Sequence, residues 1–281
     1  MSSAGAAAVT MEDAASQPLY EPPPGATPLW KQTCIVGLFD SDIDLQPVLK
    51  ALQDTVEEEH YATLRVEQLE EQNWERAWMD QFHPMQFGNR LWICPSWTPP
   101  PEPTAINIML DPGVAFGTGT HPTTALCLRW LDAHPPSQKR AIDFGCGSGI
   151  LAVAAALLGA KSVVAIDHDP MAVEATLDNA MKNQVADQIQ AGNQQIVDTQ
   201  ETVDLLMANI LAGPLIELAP LFANITKHNG DIIVSGLILE QSPQLIEHYR
   251  KWFNIIATQQ EGEWLLIHGV RNDKLAPTLQ S

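Results

Sequence analysis

Basic residues are scarce in this chain. Fifteen lysines and arginines stand against 34 aspartates and glutamates, a net charge of −19 over 281 residues. Such a surface repels phosphate backbones and attracts basic partners, which argues against a nucleic-acid substrate and for a cationic one. Cysteine is sparse as well. Cys34, Cys94, Cys127 and Cys146 are scattered singly with no C-x-x-C pair, so neither a zinc site nor a disulfide framework is suggested, and no metal is expected. Long apolar runs are missing. The longest, Ile150 to Ala160, is far short of the ~20 residues that span a bilayer. The first residues, Met1-Ser2-Ser3-Ala4-Gly5, lack the basic start of a secretory signal. These absences lead to the expectation of a soluble, cytoplasmic protein with no membrane partner. There is no internal repeat.

What is present is a core-forming composition, 45% hydrophobic, in a chain long enough for about two domains. Two proline-rich stretches punctuate it: Glu21-Pro22-Pro23-Pro24-Gly25, and Pro95 through Pro99-Pro100-Pro101 to Pro103. The second reads as a stiff linker over 95–104, between a first domain at 1–94 and a second at 105–281. Before it, the pattern predicts strands at Ala7–Met11, Thr33–Phe39 and Thr63–Leu69. A helix over Leu45–Glu58 has Leu45, Val48, Leu49, Leu52 and Val56 on one face. A second helix carries Trp74, Trp78 and Phe82, a stripe that packing explains more simply than ligand binding.

After it, a strand Ile106–Leu110 leads into a glycine-rich loop. A helix then starts at Pro122, capped by Thr120 or His121, with Leu126, Trp130 and Leu131 buried. Strands ending at Asp143 and Asp167 follow, then the helices Ile150–Leu158 and Pro170–Asn183. Next come a strand Val203–Ala208, a helix to Phe222, a strand Asp231–Ser235 and a helix Gln244–Trp252. Two closing strands, Ile255–Thr258 and Trp264–Gly269, end the pattern. Strands alternating with helices imply an α/β fold, a parallel sheet covered on both faces.

The segment Asp143-Phe144-Gly145-Cys146-Gly147-Ser148-Gly149 carries the most information. It joins a strand to a helix, and a second strand ends about twenty residues later in Asp167. Glycines let backbone approach a ligand, and an acid at the next strand tip can take ribose hydroxyls. The dinucleotide pattern would need a small residue where Ile150 stands. The spacing D-x-G-x-G-x-G instead resembles the first motif of class I methyltransferases, which bind S-adenosylmethionine. Asp143 would then face the amino-acid end of that ligand. Cys146 is read as a small residue tolerated in a tight loop rather than a nucleophile. His121 is read as a cap rather than a base.

Asn209 ends an apolar strand where amino-directed methyltransferases carry N-P-P-Y. Here the run is Asn209-Ile210-Leu211-Ala212. The aromatic that would stack on a planar base is absent, which favours an aliphatic amine as acceptor.

The runs Asp111-Pro112-Gly113, Phe116-Gly117-Thr118-Gly119-Thr120-His121-Pro122-Thr123-Thr124, Asp143 to Gly149 and Ala208 to Ala212 together resemble the ribosomal protein methyltransferase family PrmA. The stretches Glu70 to Pro84 and Phe87 to Trp97 resemble its N-terminal domain and linker. The family modifies the eleventh large-subunit ribosomal protein, at the stalk base. The resemblance implies S-adenosylmethionine as donor, and lysine side chains and the N-terminal amine of that basic protein as acceptors. It implies cofactor contacts at Thr124, Gly145, Asp167 and Asn209. Asp143, Gly147, Phe116 and Gly117 are added as cofactor-binding residues, with Asn209 as the catalytic one. It also implies a Rossmann-like methyltransferase domain with a seven-stranded sheet, preceded by a ferredoxin-like domain that recognises the substrate. The residues before the linker supply only part of the ferredoxin-like pattern. Its opening strand and helix are therefore expected to lie upstream of Met1 or to be missing. Two other readings stay open at this point: methylation of another amino group, such as a nucleobase, and a non-catalytic module that binds cofactor or ribosome.

Overall fold

In a computed structural model of the chain, residues 1–15, 17, 27–68, 82–111, 119–197 and 201–274 are described. The chain divides into two units, Met1–Ala77 and Trp78–Ser281.

In the first unit, β1 (Ala8–Asp13) and β2 (Thr33–Leu38) form an antiparallel pair, in register from Ala8↔Leu38 to Asp13↔Thr33. Helix α1 (Gln46–Gln53) and a single turn, α2 (Glu58–Tyr61), follow. The helix expected over Leu45–Glu58 thus ends at Gln53, and α2 starts only at its last residue. Val48 is the one buried apolar residue among the described residues of this unit. The strand expected from Thr63 is absent through Gln68, and Leu69 lies outside the described residues. Leu64 and Val66 alternate as a strand requires, but alternation without a neighbour to share a ladder does not make one. Trp74 and Trp78 of the aromatic stripe, and the proline run at 22–24, also lie outside the described residues. Phe82 is buried, 6.5 Å from the ring of Trp97.

The second unit is built on a seven-stranded sheet of order β11-β12-β10-β9-β6-β7-β8. Its strands are β6 (Arg140–Phe144), β7 (Ser162–Ile166), β8 (Ile189–Gly192), β9 (Val203–Asn209), β10 (Thr226–Ile238), β11 (Phe253–Glu261) and β12 (Trp264–Arg271). Strands β6 to β10 pair in parallel, while β12 runs antiparallel to both β10 and β11. The α/β class and the antiparallel closing pair are as expected. Strand β8 was not anticipated, because four residues with one large apolar side chain give little pattern to read. Helices α3 (Pro122–Ala133), α4 (Ile150–Leu157), α5 (Pro170–Lys182), α6 (Ala212–Ile225) and α7 (Ser242–Tyr249) cover the sheet. Strand residues alternate between two cores. Leu205 and Met207 of β9 pack with Leu126, Trp130 and Leu151, whereas Leu206 and Ala208 pack with Phe222, Leu245 and Tyr249.

A three-stranded sheet belongs to the same unit. Strand β4 (Leu91–Cys94) lies between β3 (Met85–Phe87), antiparallel, and β5 (Ile106–Met109), parallel. The expected linker at 95–104 therefore lies inside this unit. It is the crossover between two paired strands, and parallel neighbours require a crossover of about this length. Leu91, Ile93 and Ile108 are fully buried against α3 and α4 residues. The β3–β4 turn is fastened to the end of α3 by Asp132. This nearly buried carboxylate accepts from Asn89 N at 2.7 Å and Arg90 Nε at 3.1 Å. Gly88, at φ +69, leaves room for it, since a Cβ there would stand 2.3 Å from Asp132 Oδ2. Among the described residues no helix is long and apolar enough to cross a membrane.

Candidate functional site

The chain runs from β6 outward through β7 to β8, then returns to β9 on the other side of β6. Such a switch in direction opens a crevice at the carboxyl ends of the strands, where α/β sheets hold ligands. Both Gly145 and Asn209 leave their strands at this crevice. The cleft there, about 200 Å³, is lined by Thr124, Asp143, Gly145, Cys146, Gly147, Ile150, Leu151, Asp167, His168, Asn209 and Ile210.

The glycine loop is shaped by contacts on both sides. Gly145 N and Cys146 N donate to Ile166 O at 2.7 and 3.0 Å, which folds the loop over the end of β7. Gly145, Gly147 and Gly149 hold φ of +76, +54 and +74. At Gly145 a Cβ would come within 2.2 Å of Ile210 Cγ2. From α5, Thr176 Oγ1 donates to Gly147 O (3.1 Å) and Asn179 Nδ2 donates to Ser148 O (2.9 Å).

Two carboxylates flank the loop. Asp167 Oδ2 accepts from Gly147 N at 2.9 Å, and its Oδ1 from Asp169 N at 3.1 Å. The exposed His168 ring stands 3.3 Å from the same Oδ1. Asp143 is 1% exposed. Its Oδ2 accepts from Ala152 N at 3.0 Å, while its Oδ1 has no hydrogen-bond partner. Burial pushes its pKa up to about 7, the Ala152 N–H opposes this, and the Asp167 charge adds to it. Burial also pushes the Cys146 thiol up to about 12, so this cysteine is no nucleophile at neutral pH.

Across the cleft, Asn209 Nδ2 donates to Thr124 Oγ1 at 3.3 Å. Thr124 sits in the first turn of α3, whose cap is His121 rather than Thr120: its Nδ1 accepts from Thr123 N at 3.4 Å. Burial lowers the His121 pKa, and its ring meets Trp264 edge-on at 4.5 Å. Phe116 and Gly117 lie outside the described residues. The other six expected residues, Thr124, Asp143, Gly145, Gly147, Asp167 and Asn209, line one cleft.

The model of one protein family, ribosomal protein L11 methyltransferase (PrmA), matches residues 1–272. The chain belongs to this family. It is 49% identical over 272 residues to the ribosomal protein L11 methyltransferase of Marinobacter nauticus, covering 96% of this chain and 91% of that one. Against the enzyme of the same name from Nitrosococcus oceani the identity is 50%, over 96% and 92% of the two chains. Among solved structures, the ribosomal protein L11 methylase of Lactobacillus delbrueckii subsp. bulgaricus superposes with a TM-score of 0.63 at 32% identity. That match covers 68% of this chain and all of the other.

A ribosomal protein L11 methyltransferase has to hold a cationic, ribose-bearing donor, and the residues of the cleft fit one. Asp143 Oδ1 is a buried acceptor with nothing to accept. The loop at Gly145 has no space for a side chain. Sequence reasoning missed Thr176 and Asn179, which secure the loop from α5. Polar residues three apart on an amphipathic helix read as its solvent face, and only the fold turns them onto the loop. It also missed Ile150, Leu151 and Ile210, the apolar part of the lining.

Proposed function

We propose that this chain transfers methyl groups from S-adenosylmethionine to amines of ribosomal protein L11, on lysine side chains and at the N-terminus. The observation that carries this reading is the single cleft in which Asp143, the Gly145–Gly147 turn, Asp167 and the Asn209–Thr124 pair converge, in a chain of this family. When bound, S-adenosylmethionine supplies an electrophilic methyl on a sulfonium. Asp167 would take the ribose hydroxyls and Asp143 the ammonium of the amino-acid end, with Gly145 and Gly147 allowing backbone approach. Phe116 and Gly117 are assigned to the same ligand.

Asn209 spends its Nδ2 on Thr124, so its Oδ1 is left to accept from an incoming amine N–H. The amine must be neutral to attack. For a lysine with pKa ~10.4 this costs about 4 kcal/mol at pH 7.4, and for an α-amine near ~7.8 well under 1 kcal/mol. Ile150, Leu151 and Ile210 lower the lysine cost, because an apolar wall disfavours the ammonium form. No base is assigned in this reading, and the proton leaves to water.

Recognition of the protein substrate is assigned to the N-terminal region, whose acidity suits a basic partner in the cytoplasm. Methyl transfer to a nucleobase would need a stacking partner that the Asn209-Ile210-Leu211-Ala212 run does not offer. Incubation with labelled donor and either purified ribosomal protein L11 or ribosomal RNA tests the reading. Label is expected in the protein alone, and label confined to RNA would sink the assignment.

A further inference from the structure

We propose that Asp143 makes donor binding proton-linked: its carboxyl is protonated in the free enzyme near neutral pH and ionises as the cationic donor enters. This rests on S-adenosylmethionine being the ligand of the cleft.

The geometry argues for it. Asp143 sits on the central strand β6, hydrogen-bonded on either side to β7 and β9. It lines the cleft yet is 1% exposed, and only one of its oxygens is hydrogen-bonded, to a single N–H. The charged and titratable groups around it bring no cation. From the end of β7, Asp167 presents a second negative charge. From the loop and from α3, the Cys146 and Cys127 thiols are kept neutral, both pKa values raised chiefly by burial. From β9 and α3, Asn209 and Thr124 are neutral. His168 lines the cleft but stands against Asp167. A buried carboxylate with no cation and an anion nearby keeps its proton, and its pKa of about 7 says the same.

The donor carries an ammonium and a sulfonium against one carboxylate, a net positive charge, and a cation beside a carboxyl favours the ionised form. On binding, the carboxyl O–H breaks heterolytically and the proton passes to the solvent buffer. Protons and donor therefore compete, and donor affinity rises as pH rises through the free-enzyme pKa. The free protein behaves oppositely. Its folded pKa is raised, so between about pH 4 and pH 7 the native state holds a proton that the unfolded chain has lost, and stability falls as pH rises across that window.

Calorimetric titration of the full chain with S-adenosylmethionine, in buffers of different ionisation enthalpy, tests this. Relative to Asp143→Asn, wild type should release most of a proton per donor at pH 6, about half at pH 7 and almost none at pH 8.5. Relative to the same variant, its affinity should gain about tenfold from pH 6 to pH 8. The donor's own ammonium titrates equally in Asp143→Asn, so the difference between the two proteins isolates Asp143. Infrared difference spectra give a second readout on wild type alone, and stand even if the variant does not fold. The band of a protonated carboxylic acid should vanish on binding. Donor binding without proton release at pH 6, release unchanged in a folded Asp143→Asn, or no lost acid band would overturn the proposal while leaving the donor assignment intact. No binding at any pH would overturn both.

Discussion

Residues 1–77 and 78–281 carry nearly the same net charge on very different amounts of protein. The first unit has 14 acidic and 4 basic residues in 77 positions, the second 20 and 11 in 204. Their interiors differ as sharply. The second buries a continuous core on both faces of its sheet. Among its described residues the first buries only Val48, and leaves Met11 (52%) and Ile35 (55%) exposed as cross-strand neighbours on β1 and β2. Among the described residues, one region is organised around a core of its own, while the other has little core and leaves apolar strand residues exposed.

Cutting the chain tests the difference between the two units most directly. If the second unit is self-sufficient, a chain starting at Trp78 should fold and bind S-adenosylmethionine with little loss. A chain starting at Thr104 should not, although the proline-rich stretch invites a cut there. It would lose β3 and β4, and with them Phe87, Leu91 and Ile93, each worth about 1.5–3 kcal/mol of burial. It would also leave Asp132 buried without Asn89 and Arg90. Calorimetry on both chains decides it. Equal binding by the two would mean that the three-stranded sheet is dispensable.

That cut also shows where the sequence is readable. The glycine loop, Asp167 and Asn209 were legible because each is a local signal, a turn or a polar strand end that needs no distant partner to be recognised. Most of the strand-helix alternation of 105–281 was legible for the same reason, since those elements carry their own period. The proline stretch was misread because a crossover and an interdomain linker have the same composition. Only the pairing of Leu91 with Ile106 tells them apart. Strand β8 and the loop-holding pair Thr176 and Asn179 were invisible for a related reason, as their roles depend on residues about 20 to 30 positions away. Thr124 was named as a cofactor contact through family resemblance, and its contact with Asn209 spans 85 positions.

Within the second unit, two substitutions should separate holding the donor from using it. Asp167→Ala removes an acceptor at the tip of β7 and its hold on Gly147 N. Charge-assisted hydrogen bonds contribute about 1.5–3 kcal/mol each, so donor affinity should fall about ten- to a hundredfold. If its acceptor oxygen serves the incoming amine, as proposed, Asn209→Ala should lower kcat by a similar factor and shift the donor Kd far less. Donor titration and turnover on ribosomal protein L11 measure the two. Unchanged donor affinity in a folded Asp167→Ala would refute the site, and unchanged kcat in Asn209→Ala would reduce Asn209 to a turn residue.

The smallest expected effect lies in the first unit and tests what its charge is for. Glu57, Glu58 and Glu59 stand together around the start of α2, with Glu57 within 3.8 Å of the His60 ring. All three are exposed. Replacing them with Gln removes three of the fourteen acids of this unit and touches no core residue. Stability should fall only slightly, since exposed acids at a helix start contribute about 0.3–1 kcal/mol each and α2 is a single turn. Donor affinity should not change. If the acidity steers a basic protein, KM for ribosomal protein L11 should rise a few-fold in low salt. The difference should shrink as ionic strength shortens the Debye length from about 30 Å at 0.01 M to about 8 Å at 0.15 M. A change in KM that persists at high salt would point to a direct contact rather than to steering. No change at any salt would mean that the charge of this region serves solubility and that recognition rests on its exposed apolar strands.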